Sequence, residues 1–226
     1  MKPEVADRGP ILILSAFAPE LVPVRRLLKR AAIPSARVTC VAAGIGVVDA
    51  AAGAARAIAA CAPRFVLFIG TAGSYGAVPP IGGVAIARHV LLASSAVARG
   101  DGYLPGPLVT RVTTDARWRW GLVAAGGGGG ATATVVVGDV ATPLAITKAA
   151  ALARRLARAT GAAVENLEAF GVARAAHRAG VPCGAVLGIS NRVGPRAHEE
   201  WVRHQDRATR AASEVAGALL LSVPAR

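Results

Sequence analysis

Short apolar runs alternate with longer amphipathic segments along most of the chain. The apolar runs predict buried strands over residues 11–14, 37–43, 65–69, 84–92, 132–137, 162–164 and 181–189. The amphipathic segments predict helices from Pro19 to about Pro34 and over 48–60, 143–160, 168–178 and 198–221, with loops over 93–108 and 126–130. This alternation, without an internal repeat or linker, predicts a single three-layer α/β domain spanning residues 1–226.

Composition adds to this picture. Hydrophobic residues make up 54% of the chain and aromatic residues only 4%, so the core must consist mainly of Val, Leu, Ile and Ala, with close helix–sheet packing. The three cysteines lack CxxC spacing and the first residues lack the pattern of a signal peptide, so we expect a reduced, cytoplasmic protein. The uncharged stretch 120–138 is as long as a membrane span, but its five consecutive glycines argue against a transmembrane helix.

The formal net charge of +13 is compatible with nucleic acid, an anionic membrane or an anionic small substrate as partner. Many of the basic residues fall on the polar faces of predicted helices, in segments 25–30, 154–158 and 203–210, as on any solvated helix. No interleaving of aromatic and basic residues accompanies them. We therefore do not expect a nucleic-acid partner, and a basic nucleic-acid-binding protein remains only the non-enzymatic alternative.

Polar side chains stand at four places near the ends of predicted strands. They are Glu20, the turn 70–74 that contains Thr71, Glu168, and the pair Ser190 and Asn191. The ends of parallel strands meet at one edge of a sheet, where open α/β sheets place ligands. Each residue also has a purely structural explanation, since a carboxylate in the first turn of a helix contributes up to about 1 kcal/mol and an Asn suits a turn.

The combination of these segments resembles the nucleoside phosphorylase and nucleosidase superfamily over nearly the whole chain. The matching motifs are LSAFAPEL with Glu20, GIGVVDAA at 44–51, IGTAGS at 69–74, VENLEAFGVARAAHRAGVP with Glu168, and the strand 181–189 followed by Ser190 and Asn191. The resemblance implies an α/β fold, three-layer α/β/α with a central mixed sheet, nucleoside phosphorylase-like. It also implies a small nucleoside substrate, no cofactor, no metal ion, no membrane, and a homo-oligomer such as the dimer common among the hydrolases.

The resemblance implies a role for each matching residue. Glu20 would act as general base on a water that attacks C1′ of the ribose, and Glu168 would accept hydrogen bonds from two ribose hydroxyls. The other substrate-binding positions would be Thr71, Ala72 and Gly73, which would hold the water, Leu167 beneath the sugar, and Ser190 beside the base. Since no Arg occupies the start of the matching N-terminal helix, where phosphorolytic members bind phosphate, hydrolysis is favoured.

Asn191 decides which base is expected. Nucleosidases that act on adenine nucleosides carry Asp at this position, whereas an amide can donate to a 6-oxo group and accept from a protonated ring nitrogen. The segment GISNRVGPRAHEEW, 188–201, is similar to the corresponding part of the futalosine hydrolases, menaquinone-pathway enzymes that release hypoxanthine. We therefore expect hydrolysis of a 6-oxopurine nucleoside, futalosine above others. Leu187 and Val47 depart from this pattern, because related enzymes often carry Arg and Lys there.

Two enzymatic alternatives share the same scaffold. A purine nucleoside phosphorylase would use phosphate in place of water, so phosphate dependence separates it from a hydrolase. A methylthioadenosine/S-adenosylhomocysteine nucleosidase would release adenine. Both alternatives keep the same pocket and differ only in the attacking group or the base.

Overall fold

A computed structural model describes residues 9–127 and 133–223. The strands in these ranges are β1 Ile11–Ser15, β2 Val38–Ala42, β3 Phe65–Ser74, β4 Val84–Leu92, β5 Arg111–Thr113, β6 Val135–Thr142, β7 Val164–Glu165 and β8 Cys183–Arg192. The helices are α1 Val22–Arg30, α2 Gly46–Cys61, α3 Ser95–Arg99, α4 Ala116–Gly127, α5 Ala150–Thr160, α6 Ala169–Arg178 and α7 Ala197–Ser222. A 3₁₀ turn, Ala18–Leu21, precedes α1.

The strands form one eight-stranded sheet. Its order is β2-β1-β3-β7-β6-β4-β5, and β8 pairs with both β3 and β4. β1 is parallel to β2 and β3, and β3 is parallel to β8. β4 runs antiparallel to β5 and to β8, while the end of β3 pairs antiparallel with β7. The sheet is therefore mixed, as the resemblance implied.

Helices cover both faces of this sheet. β1 is buried along its whole length: Leu12 and Leu14 pack with α2 and α6 on one face, whereas Ile11 and Ile13 pack with α1, α4 and α7 on the other. A strand that is apolar on both faces is typical of a sheet between two helical layers. The predicted three-layer α/β/α architecture is confirmed.

Glycines let these layers approach closely. A Cβ at Gly188 of β8 would overlap the carbonyl oxygen of Ala208 on α7. Between α2 and α6, a Cβ at Gly171 would likewise overlap the carbonyl oxygen of Val47. Backbones that touch in this way leave no room for large side chains, which is consistent with a core made mainly of small and aliphatic residues.

Two predicted boundaries around the later strands were wrong. β6 extends to Thr142 instead of ending at Val137, because β4 and β7 both pair with its second half. The helix predicted from Pro143 begins only at Ala150, since the intervening segment turns over the sheet edge and its Thr147 amide donates to the buried Glu165 side chain. Thr132, predicted as the start of the strand, lies outside the described residues.

Two helices were missed in segments read as loop or as uncharged chain. α3 lies inside the predicted loop 93–108, and its cap Ser94 accepts a hydrogen bond from the Val97 amide. α4 is fixed by tertiary contact, because Trp118 stacks on Phe65 of β3 with ring centroids 4.0 Å apart. Gly126 and Gly127 belong to α4, while 128–130 lie outside the described residues. Among the helices described, none is long and apolar enough to cross a membrane.

Candidate active site

A cavity of about 400 Å³ opens at the carboxyl ends of β1, β3 and β8. It lies where open α/β sheets usually bind ligands. The fold brings all the residues that sequence assigned to the site into its wall: Glu20, Thr71, Ala72, Gly73, Leu167, Glu168, Ser190 and Asn191. Their placement together agrees with the sequence prediction, while their individual roles stay predictions.

A second cleft, of about 520 Å³, lies between α1 and α7. Phe17 and Glu20 border both spaces, so this part of the chain separates the cleft from the cavity. Of the residues assigned to the site, the cleft is bordered by Glu20 alone. The smaller cavity is therefore the candidate active site, although the cleft is larger.

Glu20 is held by the end of β3. The 3₁₀ turn after β1 carries the residue, whose side chain is buried. Its Oε1 accepts hydrogen bonds from the backbone N–H of Thr71 at 3.1 Å and from the Thr71 hydroxyl at 3.2 Å. Its Oε2 is buried and has no hydrogen-bond partner among the described residues. The amide and hydroxyl of Thr71 thus hold this carboxylate, and the predicted role of Thr71 in holding the attacking water stays a prediction.

The electrostatic environment makes Glu20 a base near neutrality. Burial, and after it the charge of Glu168, raise the pKa of Glu20 from 4.5 to about 7, although hydrogen bonds, chiefly those from Thr71, act in the opposite direction. A carboxylate with this pKa is a far better proton acceptor than an ordinary surface Glu, and about half of it is ionised at pH 7.

Glu168 is held differently, at the start of α6. Its Oε1 accepts from the Gly46 amide at 2.9 Å, and its Oε2 accepts from Asn166 Nδ2 at 3.0 Å. Burial raises the pKa of Glu168, while these two hydrogen bonds lower it. Asn166 also donates to the Thr71 carbonyl, and its Oδ1 accepts from the amides of Glu168 and Ala169. Asn166 therefore ties the start of α6 to β3 and fixes the Glu168 carboxylate.

A β-bulge shapes the end of β8. The register with β3 shifts between Ala72 and Gly73, so that Ile189 lies opposite Ala72 and Asn191 lies opposite Gly73. Ser190 is the extra residue, and bulges of this kind redirect side chains beside functional sites. The Ser190 hydroxyl donates to Asn191 Oδ1 at 2.8 Å, and Asn191 Nδ2 donates to the Arg192 carbonyl at 3.0 Å.

The space beside Asn191 depends on a glycine. A Cβ at Gly73 would come within 2.8 Å of Asn191 Nδ2, so any larger residue there would displace the amide. The Asn191 amide keeps one N–H and one oxygen lone pair beyond the contacts to Ser190 and Arg192. These remaining groups are one donor and one acceptor, which is what the hypothesis of 6-oxopurine recognition requires.

A third buried carboxylate, Glu165, borders the cavity and was not predicted. Its Oε2 accepts from the Tyr75 hydroxyl at 2.7 Å, and its Oε1 accepts from the Thr147 amide at 3.0 Å. Burial, followed by the Glu165 charge, raises the pKa of Tyr75, so the phenol stays protonated and continues to donate. The pair fixes the segment that carries Ile146, another residue of the cavity wall.

Helix α7 supplies the other polar group that sequence missed. Trp201 borders the cavity, and its indole N–H donates to the Thr71 hydroxyl oxygen at 3.2 Å. His198 lies one turn earlier on the same helix, with its ring 6.0 Å from the Trp201 ring. Phe17, Ile45 and Val193 add apolar surface to the cavity wall.

Some of the missed residues carry a signal in the sequence. An Asn two residues before a helix is typical of an Asx turn, which would have pointed to Asn166. Glu165 is a charge directly after the short predicted strand 162–164, and buried charges need partners. Nothing in the sequence around Trp201 pairs it with Thr71, because the two residues are 130 positions apart.

The two arginines near the end of β8 each contact another residue of the protein. The Arg192 guanidinium donates to the Gly76 carbonyl, and Arg196 lies 3.6 Å from the Glu200 carboxylate. Leu187, which stands where related enzymes often carry Arg, is fully buried in the core. With Leu187 in the core, Glu20 and Thr71 are left as the residues predicted to arrange the attacking water.

Comparison with known proteins agrees with this geometry. The sequence profile of the phosphorylase superfamily matches residues 17–223. A futalosine hydrolase from Streptomyces coelicolor is 34% identical over 170 residues, which cover 71% of this chain and 69% of that protein. The crystal structure of a methylthioadenosine/S-adenosylhomocysteine nucleosidase from Helicobacter pylori superposes with a TM-score of 0.84 at 16% identity, covering 96% of this chain and 99% of that one. The native structure of a Helicobacter pylori futalosine hydrolase does so with a TM-score of 0.84 at 17% identity, with coverage of 96% and 99%. The chain therefore belongs to the phosphorylase superfamily and is related in sequence to its futalosine hydrolases.

Proposed function

We propose that this protein hydrolyses the N-glycosidic bond of a purine nucleoside, with futalosine as the substrate. The observation that carries the proposal is the state of Glu20, whose carboxylate has one oxygen fixed by Thr71 and the other buried without a partner among the described residues. A base held in this way has one oxygen available for a water and cannot rotate freely. The sequence similarity to a futalosine hydrolase supports the choice of substrate.

Hydrolysis needs one proton acceptor and one reacting water. The water oxygen forms a bond to C1′ of the ribose while the bond from C1′ to the purine nitrogen breaks. The electron pair of the broken bond goes to the purine. Glu20 Oε2 accepts a proton from the water, and the departing purine takes up a proton at a ring nitrogen from solvent. General base catalysis of this kind contributes about a hundred- to ten-thousand-fold to the rate.

Glu168 binds the ribose in this proposal. Each of its oxygens already accepts one hydrogen bond, from Gly46 and from Asn166, and keeps lone-pair capacity for a ribose hydroxyl. Hydrogen bonds to a carboxylate are about twice as strong as those between neutral groups. Its negative charge also stabilises the positive charge that develops on the sugar in the transition state.

Asn191 selects the base. Its remaining N–H donates to the 6-oxo group, and its oxygen accepts from a protonated ring nitrogen, so the released base is hypoxanthine. An adenine amino group would face the amide N–H donor to donor, which costs about 1–3 kcal/mol when both groups are buried. Asn191→Asp is therefore expected to shift selectivity towards adenine nucleosides, and unchanged selectivity in that variant would contradict this role.

The basic surface favours an anionic substrate. The net charge of +13 creates a positive potential that raises the rate of encounter with an anion such as the carboxylate of futalosine. The effect falls with ionic strength, so kcat/KM for futalosine should decrease with added salt more than kcat/KM for uncharged inosine.

We also propose that the chain acts as a single domain within a homo-oligomer. Two apolar side chains of the cavity wall are exposed, Ile45 at 66% and Ile146 at 55%, and so is Leu144, two residues before Ile146, at 78%. Apolar surface at a binding site is typical of regions that another subunit or a ligand covers. Sedimentation velocity over a range of protein concentrations tests this, and a monomer at all concentrations would refute the oligomer.

Product analysis tests the proposed reaction. The protein is incubated with futalosine, inosine and methylthioadenosine, with and without phosphate, and the released base and sugar products are quantified. We expect hypoxanthine release from futalosine without phosphate, and loss of that release in Glu20→Gln. Release that requires phosphate and yields a sugar phosphate would identify a phosphorylase, while release of adenine alone would identify a nucleosidase of the methylthioadenosine type.

A further inference from the structure

The contact between Trp201 and Thr71 links helix α7 to the carboxylate of Glu20. Trp201 Nε1 lies 3.2 Å from Thr71 Oγ1, and the same oxygen lies 3.2 Å from Glu20 Oε1. The three residues come from α7, β3 and the 3₁₀ turn, so the chain of contacts crosses three separate elements. All three side chains border the cavity.

Hydrogen-bond chemistry fixes the direction of this chain. An indole N–H can only donate, so the Thr71 oxygen must be the acceptor in its contact with Trp201. The single hydroxyl hydrogen of Thr71 is then free for Glu20 Oε1, which as an ionised carboxylate can only accept. A donor that occupies one side of the hydroxyl oxygen also removes rotamers in which that hydrogen points away from Glu20.

We propose that Trp201 is a positioning residue that acts through Thr71: its indole N–H orients the Thr71 hydroxyl towards Glu20 and thereby holds the carboxylate with its second oxygen available for water. This inference rests on the proposed function for its catalytic consequence. The hydrogen-bond chain itself does not depend on which nucleoside is cleaved.

Loss of the Trp201 contact should change the pH dependence of the activity. An oriented hydroxyl stabilises the ionised form of Glu20, and hydrogen bonds from Thr71 lower the pKa of that carboxyl against the larger effect of burial. Without the indole donor the hydroxyl rotates more freely, the ionised form loses support, and the base is protonated up to a higher pH. The acid limb of the pH profile should therefore move to higher pH.

Other titratable or charged groups line the same two spaces as Glu20 and must be separated from this effect. In the cavity they are Glu165, Glu168 and, on α7, His198. In the cleft they are Arg26 and Arg30 on α1 and Asp206, Arg210 and Glu214 on α7. His198 is the critical one, because its ring lies 6.0 Å from the Trp201 ring on the same helix.

The first test follows the indole directly and needs no substrate. The chain has three tryptophans, so ¹⁵N-tryptophan labelling gives three indole N–H signals, and Trp201→Phe assigns the one from Trp201. In the full-length ligand-free protein this signal should titrate with a midpoint near the Glu20 pKa of about 7. The titration should disappear in Glu20→Gln, disappear in Thr71→Val, return in Thr71→Ser, and persist in His198→Gln.

The second test uses the pH dependence of kcat/KM. We expect Trp201→Phe to move the acid limb up by as much as about one pH unit, because it weakens the Thr71 hydrogen bond to the ionised carboxylate, whose complete loss is worth about that much. Thr71→Val should produce a similar shift, and the double variant should add little to it, since both changes interrupt the same chain. Trp120→Phe is the matched control, because Trp120 lies on α4 and is 65% exposed.

The outcomes separate the inference from the proposed function. An indole signal that titrates in Glu20→Gln but not in His198→Gln would overturn the inference, whatever substrate the protein cleaves. Additive shifts in the double variant, or an unshifted acid limb in Trp201→Phe, would also overturn it. An indole titration that depends on Glu20 and Thr71, in a protein that cleaves no nucleoside, would instead refute the proposed function and leave the hydrogen-bond chain standing.

Discussion

The 3₁₀ turn after β1 and the start of α6 each place one buried carboxylate in the cavity, and the protein holds the two differently. At the start of α6, both oxygens of Glu168 accept hydrogen bonds, from Gly46 and Asn166. In the 3₁₀ turn, Glu20 has both of its donors on one oxygen and none among the described residues on the other. A fully fixed carboxylate suits binding, whereas a half-fixed carboxylate suits proton transfer.

This difference also appears in the electrostatics. Burial raises the pKa of both carboxyls, but Glu20 additionally experiences the charge of Glu168, and its pKa rises to about 7. Two acids in one site with different surroundings are typical of pairs with different tasks. The difference supports the proposed roles, general base for Glu20 and ribose contact for Glu168, and the following predictions can break or sharpen that proposal.

The largest effect is expected from Glu20→Gln. An amide cannot accept the proton of the attacking water, so kcat should fall by about a thousandfold while KM changes little. Steady-state kinetics on futalosine measures this. Glu199→Gln is the matched control, because the Glu199 side chain is 64% exposed and lies on α7 beside Arg203. Equal activity of wild type and Glu20→Gln would remove Glu20 from the mechanism.

The second prediction concerns stability. Because the pKa of Glu20 is raised from its ordinary value of 4.5 to about 7 in the folded protein, the folded state binds the proton more tightly than the unfolded chain does. This contribution is fully present below pH 4.5 and is lost as the pH rises through 7, which amounts to roughly 3 kcal/mol. The amide in Glu20→Gln does not ionise, so this variant does not lose stability as the pH rises. It should be more stable than wild type at pH 8 but not at pH 4.5.

Denaturant unfolding at the two pH values measures this difference. The effect of Glu20→Gln must be compared with Glu199→Gln, which changes the same atoms at the surface. A stability difference between wild type and Glu20→Gln that does not depend on pH would mean that Glu20 is not a carboxyl with a raised pKa.

A smaller effect is expected from Glu168→Gln. The amide can still accept from one ribose hydroxyl but lacks the charge, so kcat/KM should fall by about ten- to a hundredfold. The penalty should shrink on a 2′-deoxynucleoside, because that substrate lacks one of the two hydroxyls. An equal penalty on ribonucleoside and deoxynucleoside would assign Glu168 to the fold of the site and not to the sugar.

The smallest effect is expected from Tyr75→Phe, which tests the third carboxylate. Glu165 fixes the segment of Thr147 and Ile146 at the cavity wall, so loss of the Tyr75 hydrogen bond should raise KM by about threefold and leave kcat unchanged. Tyr103→Phe is the control, since Tyr103 is 82% exposed. A fall in kcat without a change in KM would place Glu165 in the chemistry with Glu20 and Glu168.

Much of the fold could be predicted from the sequence because buried strands are local signals. Apolar runs such as 65–69 lie in the core of the sheet, and the periodicity of segment 48–60 corresponds to the buried face of α2. Boundaries could not be predicted where a distant partner extends a strand. β3 continues to Ser74 and β8 to Arg192 because the two strands pair with each other, although their last residues are polar.

By itself, the sequence determined the layered architecture, the set of strand ends that carry polar groups, and the family to which the chain belongs. Only the tertiary structure decided how those groups are used. Thr71 binds Glu20, Asn166 donates to the Thr71 carbonyl of β3, and Trp201 reaches Thr71 from the last helix. Hydrophobic periodicity acts over a few neighbouring residues, whereas these hydrogen bonds join residues 51 to 130 positions apart and exist only after the layers have packed.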